Sequence, residues 1–268
     1  MICEDSLKEG YVLTNGINLY YLEQGKGYPI ILLHGGLGTA QTNWENLIPE
    51  LSKYYRVIAP DCRGHGKTDN PIGEFSYILM AEDIVGLIKT LNLHRPIICG
   101  LSDGGQIALE LAMNYPEYIK AIVVSGVLIE ISDVYIKQLN NWGFEKAGIV
   151  NFDQLEAAWK DILPKIKSVH SLVYGSGYWK KFVHEISKLW LNPEEFPNEK
   201  VKNINLPVLI VHGDRDLIPV EEALKIHNFI PNSEFAVAPN SGHSFPVQNY
   251  ILYLNLISDF LKRHAKNS

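Results

Sequence analysis

Short apolar runs alternate with helical patterns along the chain, and this alternation is its main architectural signal. Pro29 to Leu33, Arg56 to Ala59, Ile97 to Cys99, Ala121 to Ser125, Val208 to Val211 and Phe235 to Ala238 are brief runs rich in Ile, Val and Leu, as expected of strands buried on both faces. Between them, helical patterns run over Ala81 to Leu91, Gly105 to Tyr115, Val220 to Ile230 and Tyr250 to His264, with Pro116 stopping the second and Pro231 the third. Strands in turn with helices predict an α/β architecture, with helices packed on both faces of a mostly parallel sheet. Near the start, Thr14-Asn15-Gly16 separates Tyr11-Val12-Leu13 from Ile17 to Leu22. Asn-Gly is a strong hairpin signal, so the sheet is expected to begin antiparallel.

The alternation fails between Val127 and Asn203, where no buried-strand run occurs and helical patterns cover Val134 to Trp142, Asp153 to Ile166 and Tyr178 to Leu191. This predicts a core of residues 1–126 and 204–268 with a helical cap, or lid, over 127–203. The stretch carries Trp142, Phe144, Trp159, Tyr174, Tyr178, Trp179, Phe182 and Trp190. Most of these are expected to hold the cap to itself and to the core. Trp142, Trp159 and Trp179 are the candidates for lining an apolar substrate pocket.

Size and composition narrow the class. A 30.2 kDa chain goes from about 44,000 Å² unfolded to about 12,000 Å² folded, enough for one large core. With 46% hydrophobic and 20% charged residues the composition is that of an ordinary globular protein, and no apolar run approaches a membrane span. A net charge of −6 provides no basic face for a phosphate backbone, and Lys180-Lys181 reads as a solvated helix face, so neither nucleic acid nor membrane is an expected partner. Cys3, Cys62 and Cys99 have no paired spacing, and Met1 to Asp5 lacks a basic start and an apolar stretch, which predicts a cytoplasmic protein with reduced thiols.

The chemistry concentrates at Gly100-Leu101-Ser102-Asp103-Gly104, directly after the run ending at Cys99 and at the opening of a helical pattern. A serine on a sharp strand-to-helix turn is lifted clear of the sheet, and the flanking glycines avoid collisions there. Such a nucleophile needs a base and a carboxylate to hold that base in the right tautomer. Of nine histidines, His243 lies in the polar loop Pro239-Asn240-Ser241-Gly242-His243, where an imidazole can reach a neighbouring turn. His94, His170, His184, His227 and His264 fall on or beside predicted helices and read as solvated surface groups. Two aspartates, Asp214 and Asp216, follow the run Val208 to Val211. Asp214 is placed to pair with Arg215 or cap the turn, and Asp216 lies further out, where it can turn toward His243.

A tetrahedral oxyanion needs two backbone N–H donors. One is expected from Asp103, next to the nucleophile, and the other from Gly36 or Leu37 in His34-Gly35-Gly36-Leu37-Gly38. That glycine-rich stretch lacks the spacing and the Gly-Lys-Ser/Thr ending of a phosphate-binding loop, and His34 reads as a group that hydrogen-bonds the loop. No His/Asp/Cys cluster has metal-ligand spacing, so neither metal nor organic cofactor is expected.

With Ser102, Asp216 and His243 in that order and His34-Gly35-Gly36 upstream, the chain resembles the α/β-hydrolase superfamily. Asp61-Cys62-Arg63-Gly64-His65-Gly66-Lys67-Thr68 matches that family's turn after the fourth strand, and Asn114-Tyr115-Pro116-Glu117-Tyr118 its exit from the elbow helix. The resemblance implies an eight-stranded, mostly parallel sheet with a helical cap, and favours Asp216 over Asp214 as the orienting acid. Leu101-Ser102-Asp103-Gly104-Gly105 is similar to the elbow of valacyclovir hydrolase-like esterases. Haloalkane dehalogenases and epoxide hydrolases place an Asp where this chain has Ser102. Carbon–carbon bond hydrolases commonly have a tryptophan after the histidine, where this chain has Ser244, so that activity ranks below ester hydrolysis.

The resulting expectation is a serine hydrolase that cleaves a small-molecule ester, or less readily an amide or thioester, through an acyl-enzyme. The Asp103 carboxylate is a candidate for recognising the ammonium of an α-amino ester. At about 4 Å such a pair gains up to roughly 4 kcal/mol before desolvation is subtracted. The competing expectation is that Asp103 bonds backbone or a basic side chain and contributes only its N–H. Rival functions are a carbon–carbon bond hydrolase, an aminopeptidase-like amidase and, in another class, a non-catalytic ligand receptor on the same fold.

Overall fold

Each apolar run forms a strand of one sheet in the computed structural model, which describes residues 6–196 and 198–266. The strands are β1 (Lys8–Thr14), β2 (Ile17–Gln24), β3 (Pro29–Leu33), β4 (Arg56–Pro60), β5 (Ile97–Leu101), β6 (Ala121–Ser125), β7 (Phe144–Lys146), β8 (Ile149–Val150), β9 (Val208–Gly213) and β10 (Ser233–Ala238). Eight make a single sheet in the order β1-β2-β4-β3-β5-β6-β9-β10, and β7 with β8 forms a separate ribbon. β1 and β2 pair antiparallel across Asn15-Gly16, where both residues have positive φ, and β2 pairs antiparallel with β4. All remaining neighbours in the large sheet are parallel.

Alternate residues of the central strands enter opposite core layers, as a side-chain period of two requires. Ile31, Leu33, Ile98, Ile122 and Val124 meet the helices Tyr77–Thr90, Asp103–Asn114 and Val220–Phe229. Ile30, Leu32, Ile97, Cys99 and Val123 meet Ala40–Trp44, Leu47–Ser52 and Tyr250–His264 on the other face. Covered on both sides, these strands carry no polar stripe. The chain leaves β3 outward to β4 on one side, and β5 lies on the other, so the segments after β3 and β5 diverge and open a crevice at their carboxyl ends.

The loop after β4 is anchored from beneath by charge. Arg63 is fully buried and makes a two-pronged ion pair with Asp83, Nε to Oδ2 at 2.7 Å and Nη2 to Oδ1 at 2.6 Å, and Asn15 donates to the same carboxylate. Asp61 accepts the N–H groups of Ala40 and Lys67, which folds Asp61 to Lys67 back under the crevice.

Residues 127–203 lie between β6 and β9 and contain helices Asp133–Asn141, Phe152–Ala158, Leu163–Val169 and Tyr178–Trp190. Two expectations need correction here. The single helix Asp153 to Ile166 is two, because Pro164 inside a continuous helix would lack its N–H donor and strike the carbonyl of Lys160. It sits instead in the first turn of Leu163–Val169. The segment also holds a strand pair, β7 with β8, too short and exposed to register as a buried run. Among the described residues no helix is long and apolar enough to cross a membrane, and Cys62 and Cys99 are free buried thiols. Cys3 lies outside the described residues.

Candidate active site

Ser102 occupies the turn between β5 and Asp103–Asn114 with φ 53° and ψ −118°. That backbone is strained for a residue with a Cβ, at a cost of about 1–3 kcal/mol, and its neighbours hold it there. Ser102 N–H donates to Ser125 O of β6 at 2.7 Å, and Gln106 N–H donates to Ser102 O at 3.0 Å. Gly104 lets the helix press onto β3, since a Cβ there would stand 2.2 Å from Leu33 O. Ser102 faces a cavity of about 540 Å³ at the crevice.

Asp216 comes from the loop after β9 and His243 from the loop after β10. They meet with His243 Nδ1 2.8 Å from Asp216 Oδ1, an oxygen that also accepts the Ile218 N–H. Burial opposes charge on both groups, yet the opposite charge of each partner outweighs it. The His243 imidazole is held above its ordinary pKa and the Asp216 carboxyl below its own. Asp214 accepts the Ser241 N–H at 2.9 Å instead, closing the loop that carries His243. With Nδ1–H directed at Asp216, a neutral His243 keeps its Nε2 lone pair for accepting a proton. Ser102 and His243 both line the cavity. Their side chains share no hydrogen bond here, a contact that in free enzymes often tightens only when substrate binds.

Gly36, Leu37 and Asp103 border the same cavity, and the N–H groups of Gly36 and Leu37 have no hydrogen-bond partner among the described residues. The turn they belong to is closed by Gly38 N–H to Gly35 O at 2.8 Å. A Cβ at position 36 would lie 2.1 Å from Asp103 Oδ2 and 2.9 Å from Trp190 Cζ2, so any larger residue there displaces the Asp103 carboxylate from its partners.

The Asp103 carboxylate is buried and is partnered by neither backbone nor a basic side chain, contrary to the competing expectation. It accepts from Tyr77 OH at 3.1 Å and from Trp190 Nε1, which is 2.9 Å from both oxygens. Burial pushes its pKa up to about 6, with the two hydrogen bonds and His243 pulling the other way. The cavity wall above is aromatic. Trp142 packs edge-on against Trp159 and Phe144 edge-on against Trp190, with Trp159 and Phe144 tilted against each other between them, and all three tryptophans line the cavity.

Trp179 does not line it, which corrects one candidate. It shares a helix face with Trp190 but lies eleven residues earlier, roughly 16 Å along the axis. There it packs against Phe152 under the Lys167 ammonium. His170 corrects another expectation. It is buried, not solvated, between the insert and the core, with Phe182 stacked on its ring. The sequence reading missed Tyr77 and Trp190 as partners of Asp103. Tyr77 had a local signal, because Ser76, five residues before the predicted start at Ala81, caps its helix. Trp190 stood in the aromatic set without any local feature setting it apart.

The fold and this cavity define a hydrolase scaffold with the reactive loops at one end of the sheet. The family model described as "alpha/beta hydrolase fold" matches residues 28–250, and the chain belongs to this family and is a hydrolase. Among curated relatives, the 2-hydroxy-6-oxo-6-(2'-aminophenyl)hexa-2,4-dienoic acid hydrolase of Metapseudomonas resinovorans is 30% identical, over 98% of this chain and 93% of the relative. Human serine hydrolase BPHL is 28% identical, over 96% of this chain and 87% of the relative. Among solved structures, the meta-cleavage product hydrolase CumD of Pseudomonas fluorescens IP01 superposes with a TM-score of 0.79 at 26% identity, covering 95% of this chain and 97% of that one.

Proposed function

We propose that the protein is a serine hydrolase cleaving carboxylic esters of small substrates through an acyl-enzyme, with residues 127–203 acting as its cap. The observation that carries this reading is the Asp216–His243 pair opening onto the same cavity as Ser102 in its strained turn. Ser102 attacks the ester carbonyl while His243 Nε2 takes its proton, and Asp216 holds the imidazole in that tautomer and balances the imidazolium. The N–H of Asp103 and that of Gly36 or Leu37 receive the oxyanion. His243 then protonates the leaving alcohol, and water repeats the sequence on the acyl-enzyme. No metal or organic cofactor takes part in this scheme.

Asp103 gives the substrate a preferred charge. Its carboxylate has neutral donors only, so an ammonium on the acyl group supplies the counter-charge and α-amino esters are favoured over their deaminated analogues. Similarity to the human serine hydrolase BPHL fits the serine-hydrolase part of the proposal.

The second reading is carbon–carbon bond hydrolysis, and the similarity to the dienoic acid hydrolase of Metapseudomonas resinovorans favours it. An acidic substrate would bring a second negative charge beside Asp103, which argues for the ester reading. The test sets p-nitrophenyl esters of graded chain length and glycyl and phenylalanyl esters beside a 2-hydroxy-6-oxo-dienoic acid. The proposal expects sustained ester turnover, abolished in Ser102→Ala, and a rate advantage of the aminoacyl ester that falls in Asp103→Asn. Faster turnover of the dienoic acid replaces the ester reading with the second, and a single slow turnover with ligand-induced thermal stabilisation points to a receptor.

A further inference from the structure

Three imidazoles face three successive carbonyls of the turn that carries Gly36 and Leu37. His34 Nδ1 is 2.9 Å from Gly35 O, His65 Nε2 is 3.0 Å from Gly36 O, and His170 Nε2 is 3.1 Å from Leu37 O. All three rings are buried, and burial pushes their pKa values down to about 4, 3 and 3, so they are neutral at physiological pH. A neutral imidazole has one N–H, and for two of the rings the other nitrogen settles where it is. His34 Nε2 accepts the Cys62 N–H, which leaves Nδ1–H for Gly35 O. His170 Nδ1 accepts the Gly66 N–H at 3.4 Å, which leaves Nε2–H for Leu37 O. His65 has Nδ1 2.9 Å from Arg63 O and Nε2 3.0 Å from Gly36 O, so the neutral ring donates to one of these carbonyls at a time, according to its tautomer.

His170 differs from the other two in origin. His34 and His65 belong to the loops after β3 and β4, whereas His170 ends the helix Leu163–Val169 of the insert and spans 133 residues in sequence to reach Leu37. A trans peptide points its C=O and N–H in opposite directions. Holding Leu37 O therefore sets the plane of the Leu37–Gly38 peptide and aims Gly38 N–H at Gly35 O, the bond that closes the turn. A closed turn keeps the unpartnered Gly36 and Leu37 N–H groups on the cavity side.

We infer that His170 is a positioning residue through which the insert sets the oxyanion turn, so that the turn is competent only when the insert is seated on the core. His170 touches no reacting atom. It acts through the Leu37 carbonyl, and its loss relaxes the donor geometry while the aromatic wall that binds substrate stays in place. The inference rests on the serine-hydrolase reading.

The experiment compares the parent with His170→Phe, which keeps the stack on Phe182 but loses both hydrogen bonds, and His170→Gln, whose amide can donate to Leu37 O. His170→Asn, able to meet the Gly66 N–H but too short for Leu37 O, substitutes for His170→Phe if that variant does not fold. On a p-nitrophenyl ester, kcat is expected to fall about 10- to 100-fold in His170→Phe, less than for outright loss of a donor. KM is expected to change less than about threefold, because ground-state binding does not use the donors. Inhibition by an alkylboronic acid, a tetrahedral mimic, weakens in step with kcat, and His170→Gln recovers most of both. A kcat in His170→Phe or His170→Asn within twofold of the parent overturns the inference, and so does a His170→Gln no better than either. Absence of turnover in the parent rejects the serine-hydrolase reading itself, which keeps the two failures apart.

Discussion

Trp190 Nε1 stands 2.9 Å from both carboxylate oxygens of Asp103, joining the last turn of the insert's final α-helix to the residue after the candidate nucleophile. The indole and the Tyr77 hydroxyl are neutral, so they solvate the carboxylate without cancelling its charge. A buried carboxylate held only by neutral hydrogen-bond donors at the cavity floor affects both stability and substrate choice.

Stability follows from the direction of the shift. The Asp103 carboxyl is raised from 3.8 to about 6 in the folded state, so folding takes up a proton between those values and stability falls as pH rises through them. Asp103→Asn removes that slope. The difference in urea-derived stability between variant and parent should move in the variant's favour by roughly 2 kcal/mol from pH 4 to pH 7. Parallel pH profiles would show that Asp103 ionises as freely as in water.

Substrate preference follows the same ionisation. An α-amine loses its proton near pH 8 (about 7.7–8.0 for free α-amino groups), while Asp103 gains one below about 6. The ratio of kcat/KM for a glycyl ester to that of its deaminated analogue is therefore expected to peak between these values and decline on both sides. A ratio flat from pH 5 to 9 separates Asp103 from substrate selection.

General-base catalysis requires neutral His243. Its pKa is raised in the folded state, so activity is lost as pH falls through a value above the ordinary 6.5. Asp216→Asn removes the carboxylate responsible. The acid limb of kcat/KM should then move to lower pH and kcat should fall by about 10³- to 10⁴-fold. An acid limb that stays in place assigns it to another group.

Ser102 carries positive φ with a side chain, and glycine relieves that strain. Ser102→Gly is expected to abolish ester turnover and to raise unfolding stability by about 1 kcal/mol, less than the strain itself because glycine also gains freedom in the unfolded chain. Equal or lower stability of the variant means the turn is not strained.

The Arg63–Asp83 pair is sealed beneath the loop that carries His65. Asp83→Asn leaves the Arg63 guanidinium buried without its counter-charge, and the expected loss is about 3–5 kcal/mol in chemical denaturation. A loss below 1 kcal/mol indicates that water or another carboxylate reaches Arg63.

Much of this protein is decided within a few residues of chain. The Asn15-Gly16 hairpin, the buried strands and the helix stops at Pro116 and Pro231 follow from turn chemistry and side-chain periodicity, which act between near neighbours. The same holds for the turn that presents Ser102, where strand, glycines and helix are contiguous. Other features depended on groups distant in sequence. Asp214 and Asp216 are two residues apart and chemically alike, and only the path of the loop after β10 brings His243 to Asp216 and Ser241 to Asp214. Trp179 and Trp190 share a helix face, so no periodicity tells them apart, and the seating of that helix on the core decides which one reaches Asp103. His170 reads locally as a surface histidine, and becomes a buried donor to Leu37 because the insert folds back over the loop after β3. Local patterns determine which elements form and where the nucleophile turn lies. Which side chains meet in the cavity is decided by the path of the loops after β9 and β10 and by the docking of the insert, which buries its apolar faces regardless of how far apart the contacting residues lie in the chain.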